Sequence, residues 1–420
     1  MGRVAGRFVR VEPRRHARDL VRGLVSDLRI KNCWALAEHA GQASPDGMQH
    51  LLARAVWDHD GVRDDVRGYV VEYLGGRAGG GDAVLVVDET GDLKKGTHTV
   101  GVQRQYTGTA GRIENSQVAV YLTYAGGKGH ALIDRALYLP KCWAEDAERR
   151  AAAGVPAEVR FATKPALARE MIVRALEGGA AAPWVAGDEV YGADPGLRAE
   201  LESRRVGYVL AVACSHRVAT AAGKRRADQI ATGLPLHAWQ RLSAGRGSKG
   251  PRLYDWAWIT IDPDTGTDRP GQRWLLIRRN NTTGERAYFR CYAPRPVPLA
   301  TLVRVAGRRW TVEESFQAGK GLCGLDQHQV RRWISWQRWT ILAMLAHAFL
   351  AVLAATEHTD NPAPTGLIHL TSNEIHHLLN TLIAQPINDA RHRLRWSHWR
   401  RRHQHRAKIS HYQRRAATEP

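Results

Sequence analysis

Asp88 and Asp188 each close a short apolar run, Ala83–Val87 and Trp184–Ala186. Such runs read as buried strands, and open α/β sheets place their sites at the carboxyl ends of strands. A carboxylate there is held by rigid backbone and faces the crevice. Either Asp alone is as readily a turn or capping residue. Together, in a strongly basic chain, they point to a divalent-metal site for phosphodiester chemistry, where two ions ~3.5–4 Å apart activate the attacking oxygen and stabilise the leaving one. The segment GRRWTVEESFQAGKG, residues 307–321, supplies a third carboxylate, Glu313. At about 100° per residue, Arg309 lies about 40° from Glu313, Lys320 about 20° and Ala306 about 20°, so these share one helix face. Glu314 points about 100° away. A solvated amphipathic face would carry a similar mix of charges.

Elements able to hold these groups can be read around them. Residues 1–74 show helical periodicity and no strong strand. Residues 32–58 read as helix, short turn, helix, with Ser44 capping the second helix and Pro45 in its first position. That pair is either a packing unit or a DNA-reading helix-turn-helix. Residues 75–81, GGRAGGG, form a linker. Over 82–214 the texture is α/β, with strands at Ala83–Val87, Gln117–Tyr124, Ala131–Leu139, Trp184–Ala186 and Gly207–Ala213. Helices at Lys164–Leu176 and Pro195–Arg204 interleave with the later strands. Over 215–299 the alternation lapses into turns and β-type runs (YDWAWITI, RWLLIRR, RAYFRCYA), a β-rich insertion. Helices return over 300–358, and 359–420 holds the Pro-punctuated NPAPTG and a basic C-terminal region. The apolar stretch Trp339–Thr356 approaches spanning length, but His347 sits at its centre and Arg338 and Glu357 flank it. It reads as a buried helix with a core histidine, with no membrane span.

The 420 residues carry 61 Lys+Arg against 41 Asp+Glu, a net charge of +20. A surface of that sign favours polyanions, nucleic acid before anionic membrane. Hydrophobic residues at 44% exclude a largely disordered chain. Five scattered cysteines exclude a disulfide framework and a zinc ribbon, and the N-terminus lacks the apolar core of a signal peptide. The expected compartment is a reducing cytosol. Residues 391–415 interleave Arg with Trp396, Trp399 and Tyr412 and contain no acid, so Arg400, Arg401 and Arg402 are candidate phosphate contacts. His403 and His405 in that stretch read as solvated. GRGSKG at 245–250 matches GxGxxG, but Pro251 follows and no helix opens, which excludes a nucleotide fold. Glu89 and Asp92, neighbours of Asp88, either support it from behind or are merely solvated, and Lys94 and Lys95 are candidate DNA contacts.

Arg309, Glu313 and Lys320, spaced R-x3-E-x6-K, resemble the last three positions of the YREK signature that marks DDE transposases of bacterial insertion sequences. VLVVDETGDLKKGTHTVGVQRQYTGTAGRIENSQV and WVAGDEVYG look like the first and second Asp motifs of that family. LHAWQRLSAGRGSKGPRLYDWAW and the Glu block resemble the insertion-sequence 701 family, a branch related to the insertion-sequence 4 group. The resemblance covers roughly residues 83–355. One position departs: the signature's Tyr falls on Ala306, so whatever that Tyr does for a DNA phosphate is absent or supplied elsewhere.

The resemblance implies an α/β fold: an RNase H-like catalytic core interrupted by a β-rich insertion, with an N-terminal helical domain and a basic C-terminal tail. It implies Asp88, Asp188 and Glu313 as catalytic ligands of two Mg²⁺ ions, Mn²⁺ substituting, with Arg309 and Lys320 on phosphates near the cut. Trp274 resembles a Trp that stacks on a flipped base in hairpin-forming relatives, although a Trp opening a strand is as readily core. The function implied is cut-and-paste transposition by a homodimer on double-stranded DNA: binding terminal inverted repeats, cutting, and joining the 3′-OH ends to target DNA. A domesticated DNA-binding regulator, or an RNase H-like nuclease without strand transfer, would share most of these features.

Overall fold

The computed structural model describes the chain except residues 77–80, 248–249, 263–269, 362–368, 383–389 and 417–420, and describes only the backbone of 411, 412, 415 and 416. Most of the linker expected at 75–81, the NPAPTG segment beyond Asn361, two residues of GRGSKG and the Tyr412 side chain therefore lie outside the described residues. The chain opens with four helices, α1 (Val11–Leu24), α2 (Cys33–His39), α3 (Asp46–Ala53) and α4 (His59–Leu74). Asn32 caps α2 by accepting the Trp34 and Ala35 amides, and Asp58 caps α4 by accepting that of Gly61. The expected cap at Ser44 falls one residue short. Pro45 is itself the N-cap of α3, and Ser44 Oγ donates to the Asp46 carboxylate at 2.8 Å and accepts the Asp46 amide at 3.4 Å.

The core opens with β1 (Val84–Leu93), β2 (Gln103–Thr107), β3 (Arg112–Ala125) and β4 (His130–Leu137), then α5 (Lys141–Ala144), α6 (Ala147–Ala153) and α7 (Lys164–Glu177). Next come β5 (Trp184–Gly187), α8 (Glu189–Gly192), α9 (Pro195–Ser203) and β6 (Gly207–Val212). β3 and β4 lie antiparallel outside β1, and β5 and β6 follow β1 in parallel, giving the order β4-β3-β1-β5-β6 of an RNase H-like core. β1 is apolar along its first half because both its faces are covered. Leu85 and Val87 pack with Met171 and Tyr191 on one side, and Val84 and Val86 with Leu302 and Val312 on the other.

The expected insertion proves to be more of the same sheet. After the small hairpin β7 (Arg217–Thr220) and β8 (Gly223–Arg226) and helix α10 (Ala227–Thr232) come β9 (Gln240–Gly247), β10 (Gly250–Thr260), β11 (Gln272–Arg279) and β12 (Arg286–Ala293). β12 pairs antiparallel with β6, and β11, β10 and β9 continue outward. A buried ion pair, Arg273 to Glu202 at 2.6 Å, ties β11 to α9.

Helices α11 (Leu299–Arg308) and α12 (Trp310–Cys323) cover one face of the joined sheet, and α13 (Trp333–Asp360) passes through the main core. α13 is long and apolar enough to cross a membrane, but 78% of its most apolar window is buried inside the protein, as expected of a core helix. Its buried Arg338 donates to the carbonyls of Leu51 and Leu52, tying it to the end of α3. The N-terminal helices thus share a hydrophobic core with the sheet. α14 (Ser372–Leu382) and α15 (Ala390–Ala416) end the described chain, so the basic C-terminal tail is a helix.

Candidate active site

Parallel pairing sets Val87 against Gly187, so Asp88 and Asp188 leave neighbouring strands side by side at their carboxyl ends. Asp188 caps α8, its Oδ1 accepting the Val190 amide at 2.9 Å, and Asp88 Oδ1 accepts the Glu89 amide at 2.8 Å. α8 lies so close to β6 that a Cβ on Gly192 would collide with the Ala211 carbonyl oxygen. That contact keeps the Asp188 turn against the sheet.

Asp88, Glu89 and Asp188 each bring a carboxylate oxygen within 4.8 Å of the others. Burial, then the charges of Asp188 and Glu89, pushes the Asp88 carboxyl up to about 7, against the pull of Arg309. Burial and the Glu89 charge also raise Asp188. Carboxylates this close resist ionising together unless a cation joins them, so the donor set fits a hard divalent ion bound through oxygen. Of the two readings open for Glu89, mere solvation does not hold. Lys164 at the start of α7 donates to it at 2.6 Å, and the Tyr191 hydroxyl donates at 2.6 Å. Both partners lie on the face of β1 opposite Glu313, and no spacing rule joins Lys164 to residue 89.

Glu313 arrives from α12, on the face of β1 that carries Asp88. Arg309 stands between the two, with Nη2 donating to Glu313 Oε1 at 2.8 Å and Nη1 3.7 Å from Asp88 Oδ2. Glu314 turns away from Glu313 to His130, 3.0 Å from its Nε2, as helix geometry requires, although the single helix expected here is divided at Arg309 into α11 and α12. His130 in turn meets Ser315 Oγ at 2.9 Å through Nδ1 and so fixes the pitch of α12 against β4. α11 presses on β9 where a Cβ on Gly307 would collide with the Ala244 carbonyl oxygen, and this seats Arg309.

The other expected contacts divide. Lys320 faces β1 but is engaged internally, donating to the Gly91 carbonyl at 3.0 Å and lying 3.3 Å from Asp92. Lys94 is not a surface cation: its Nζ donates to the carbonyls of Asp326 and His328, whereas Lys95 is exposed. Asp92 is likewise not merely solvated but buried with His328. Trp274 is 6% exposed and stacks on Trp258 with ring centres 5.3 Å apart, so its indole is core and closed to a DNA base. Arg400 is paired with Glu38 at 2.6 Å, and Arg401 and Arg402 are exposed. His347 is buried, as expected, and burial holds it down at about 3.

Next to Arg309 lies a cleft of about 630 Å³ lined by Arg252, Tyr254, Arg278, Ala306 and Trp310. Trp310 is 49% exposed, and the Arg278 guanidinium lies 4.7 Å over the Tyr254 ring. Ala306, standing at the signature's Tyr position, helps to open this space. Trp310 follows directly on Arg309, yet periodicity alone marks it as one more aromatic of an amphipathic helix.

Residues 3–238 match the family model of DDE superfamily endonucleases, and residues 156–349 match the transposase DDE domain. Over 199 residues the chain is 30% identical to the "Probable transposase for insertion sequence element IS701" of Microchaete diplosiphon. That match covers 47% of this chain and 48% of the relative, so it spans about half the length of that curated protein. Among solved structures, the piggyBac transposase synaptic complex with hairpin DNA aligns over 92% of this chain and 75% of its own, at 11% identity and a TM-score of 0.41.

Proposed function

The chain belongs to the DDE superfamily endonucleases, and from that premise we propose that it is a DNA transposase that cuts at the terminal inverted repeats of its insertion sequence and joins the freed 3′-OH ends to target DNA. The observation that carries this reading is the placement of Asp88 and Asp188 level on adjacent parallel strands, with Glu313 brought to the same face through Arg309. Asp88, Asp188 and Glu313 would hold two divalent ions, Mg²⁺ or in its place Mn²⁺, whose chemistry is to activate the attacking oxygen and stabilise the leaving one. Cutting and joining are both in-line displacements at phosphorus, so one set of carboxylates serves both.

The chain's own residues do the rest. The β1 and β5 backbones and the α8 cap fix the two Asp carboxylates before any ligand arrives, which limits reorganisation at the moment of reaction. Arg309 offers a planar fork that suits a phosphate once Glu313 is otherwise engaged. Lys164 and Tyr191 hold Glu89 at the rear of the cluster, where its charge keeps the site negative. Trp310 and Tyr254, beside Arg309, present the stacking surface for a nucleotide displaced at the cut that Trp274 does not. A homodimer on DNA would bring two ends together, each catalytic centre working on one end.

The test is cleavage of DNA carrying the flanking repeats, with Mg²⁺ or with EDTA, by the wild type and by Asp188→Ala. Metal-dependent cutting at the repeat ends that disappears in the variant is the expected result. Binding without cutting by either protein would replace the transposase with a DNA-binding regulator. Cutting without joined products would leave a nuclease.

A further inference from the structure

We propose that α15 is a duplex-DNA-binding helix, latched by its first half to the N-terminal helices so that its outer face meets phosphates at a fixed angle to the body. The proposal rests on the DNA-processing reading above and assigns to a defined helix a contact away from the carboxylates. The latch is explicit. Trp396 has no exposed surface and donates to the Gln42 carbonyl at 2.8 Å. The His392 ring lies 2.8 Å from the Glu38 carbonyl, and Arg400 pairs with the Glu38 carboxylate at 2.6 Å. Trp34 of α2 sits edge-on to both Trp399 and His403, each at 4.8 Å between ring centres. On a helical wheel these five α15 residues fall within about 60° of Trp396.

The outer side is of another kind. Arg402, Arg401 and His405 lie about 120°, 140° and 180° from Trp396. Every residue from Arg401 to Ile409 is exposed, and the 27-residue helix contains no acid. Left alone, that half is poorly stabilised. Cations four apart, such as Arg402 and Arg406, repel along a helix, and a short helix without packing is marginal in water. A dense row of negative charge relieves both costs. Duplex DNA fits this requirement: it presents phosphates along both sides of a groove that admits a helix, and a rod of about 40 Å spans one turn of duplex, about 34 Å. The latch places the helix on α2, so the two ends of the chain form one DNA-facing unit.

The experiment is equilibrium binding of the full-length protein to labelled duplex DNA, in EDTA so that no cutting occurs, over about 50–200 mM salt. Arg401→Ala, Arg402→Ala and Arg406→Ala combined should lower the slope of log K against log salt by about 2–3, at about 0.9 per phosphate contact. The melting temperature should not fall, because these side chains are exposed and their mutual repulsion is removed. Trp34→Ala, which removes no charge, should weaken binding and leave the slope; Trp399→Leu serves the same purpose should the first variant unfold. An unchanged slope in the triple variant overturns the proposal, as does equal binding to an RNA duplex with the same losses. Wild-type affinity in both latch variants overturns the fixed angle. Failure of the cleavage reading shows separately, as absence of Mg²⁺-dependent cutting by wild-type protein whose triple variant still loses slope.

Discussion

Lys320 of α12 lies 3.3 Å from the buried carboxylate of Asp92 on β1. His328 approaches the same carboxylate at 3.2 Å, and Lys94 closes the cluster by donating to the His328 carbonyl. The staple joins the same strand and helix that carry Asp88 and Glu313, four and seven residues away. Its lysine therefore sets the distance across the site from a position that sequence alone assigns to DNA.

The staple should be visible as a pH dependence. Burial pushes the Asp92 carboxyl up, but the hydrogen bond from His328 and the charges of Lys94 and Lys320 outweigh it and hold it down at about 2. A folded value below the unfolded one, about 3.9, stabilises the protein fully above pH ~4, and the contribution is lost as pH falls towards 2. Asp92→Asn should lower stability near neutrality by about 2 kcal/mol and flatten the acid limb. Melting curves of both proteins between those pH values are the measurement.

Asp88 carries the opposite sign. Its folded value of about 7 exceeds the unfolded one, so the metal-free protein should lose stability as pH rises from about 4 to 7. Asp88→Asn should then raise the melting temperature at pH 8 in EDTA, by an amount equivalent to about 2–4 kcal/mol, while abolishing cleavage. A variant that melts no higher than wild type would show that Asp88 ionises freely.

Arg309 occupies the space between Glu313 and Asp88, so it competes with a bound cation. Arg309→Ala should bind Mn²⁺ several-fold more tightly in the absence of DNA, reflecting a half-buried ion pair of about 1 kcal/mol, and should nonetheless cut DNA more slowly for want of its phosphate contact. Titration calorimetry and cleavage rates moving in opposite directions would establish this; parallel losses would refute it.

Trp274 and Trp310 separate packing from contact. Trp274→Ala should destabilise the protein by about 3–5 kcal/mol and lower every catalytic step alike, since it empties a stacked core position. Trp310→Ala should melt within a few degrees of wild type and selectively reduce the steps that need a displaced nucleotide. Thermal melts alongside nicking and hairpin assays would distinguish them.

Much of the core was legible because apolar runs in a two-face-buried sheet are local signals: the expected strands at Trp184–Ala186 and Gly207–Ala213 differ from the observed ones by one residue. The separation of Glu313 from Glu314 followed from helix geometry alone. What stayed hidden depends on contacts between distant segments. The environment of Glu89 is made by Lys164, 75 residues away, and that of Lys94 by residues near 326. β-type composition marked β10, β11 and β12 as strands but does not say which sheet they join. A run rich in Arg reads as a solvated tail until Trp396 finds its seat between α2 and α3.

The core that α4 shares with α13 has a consequence for synthesis. Residues 59–74 pack on a helix whose first residue is 333. At roughly 5–20 residues per second, the ribosome leaves the amino-terminal helices without their core partner for about 13–50 s. During that interval their apolar faces need shelter, and Glu313 has not yet been made when Asp88 leaves the exit tunnel. A nascent chain that stops short of residue 313 thus lacks one of the three proposed carboxylates.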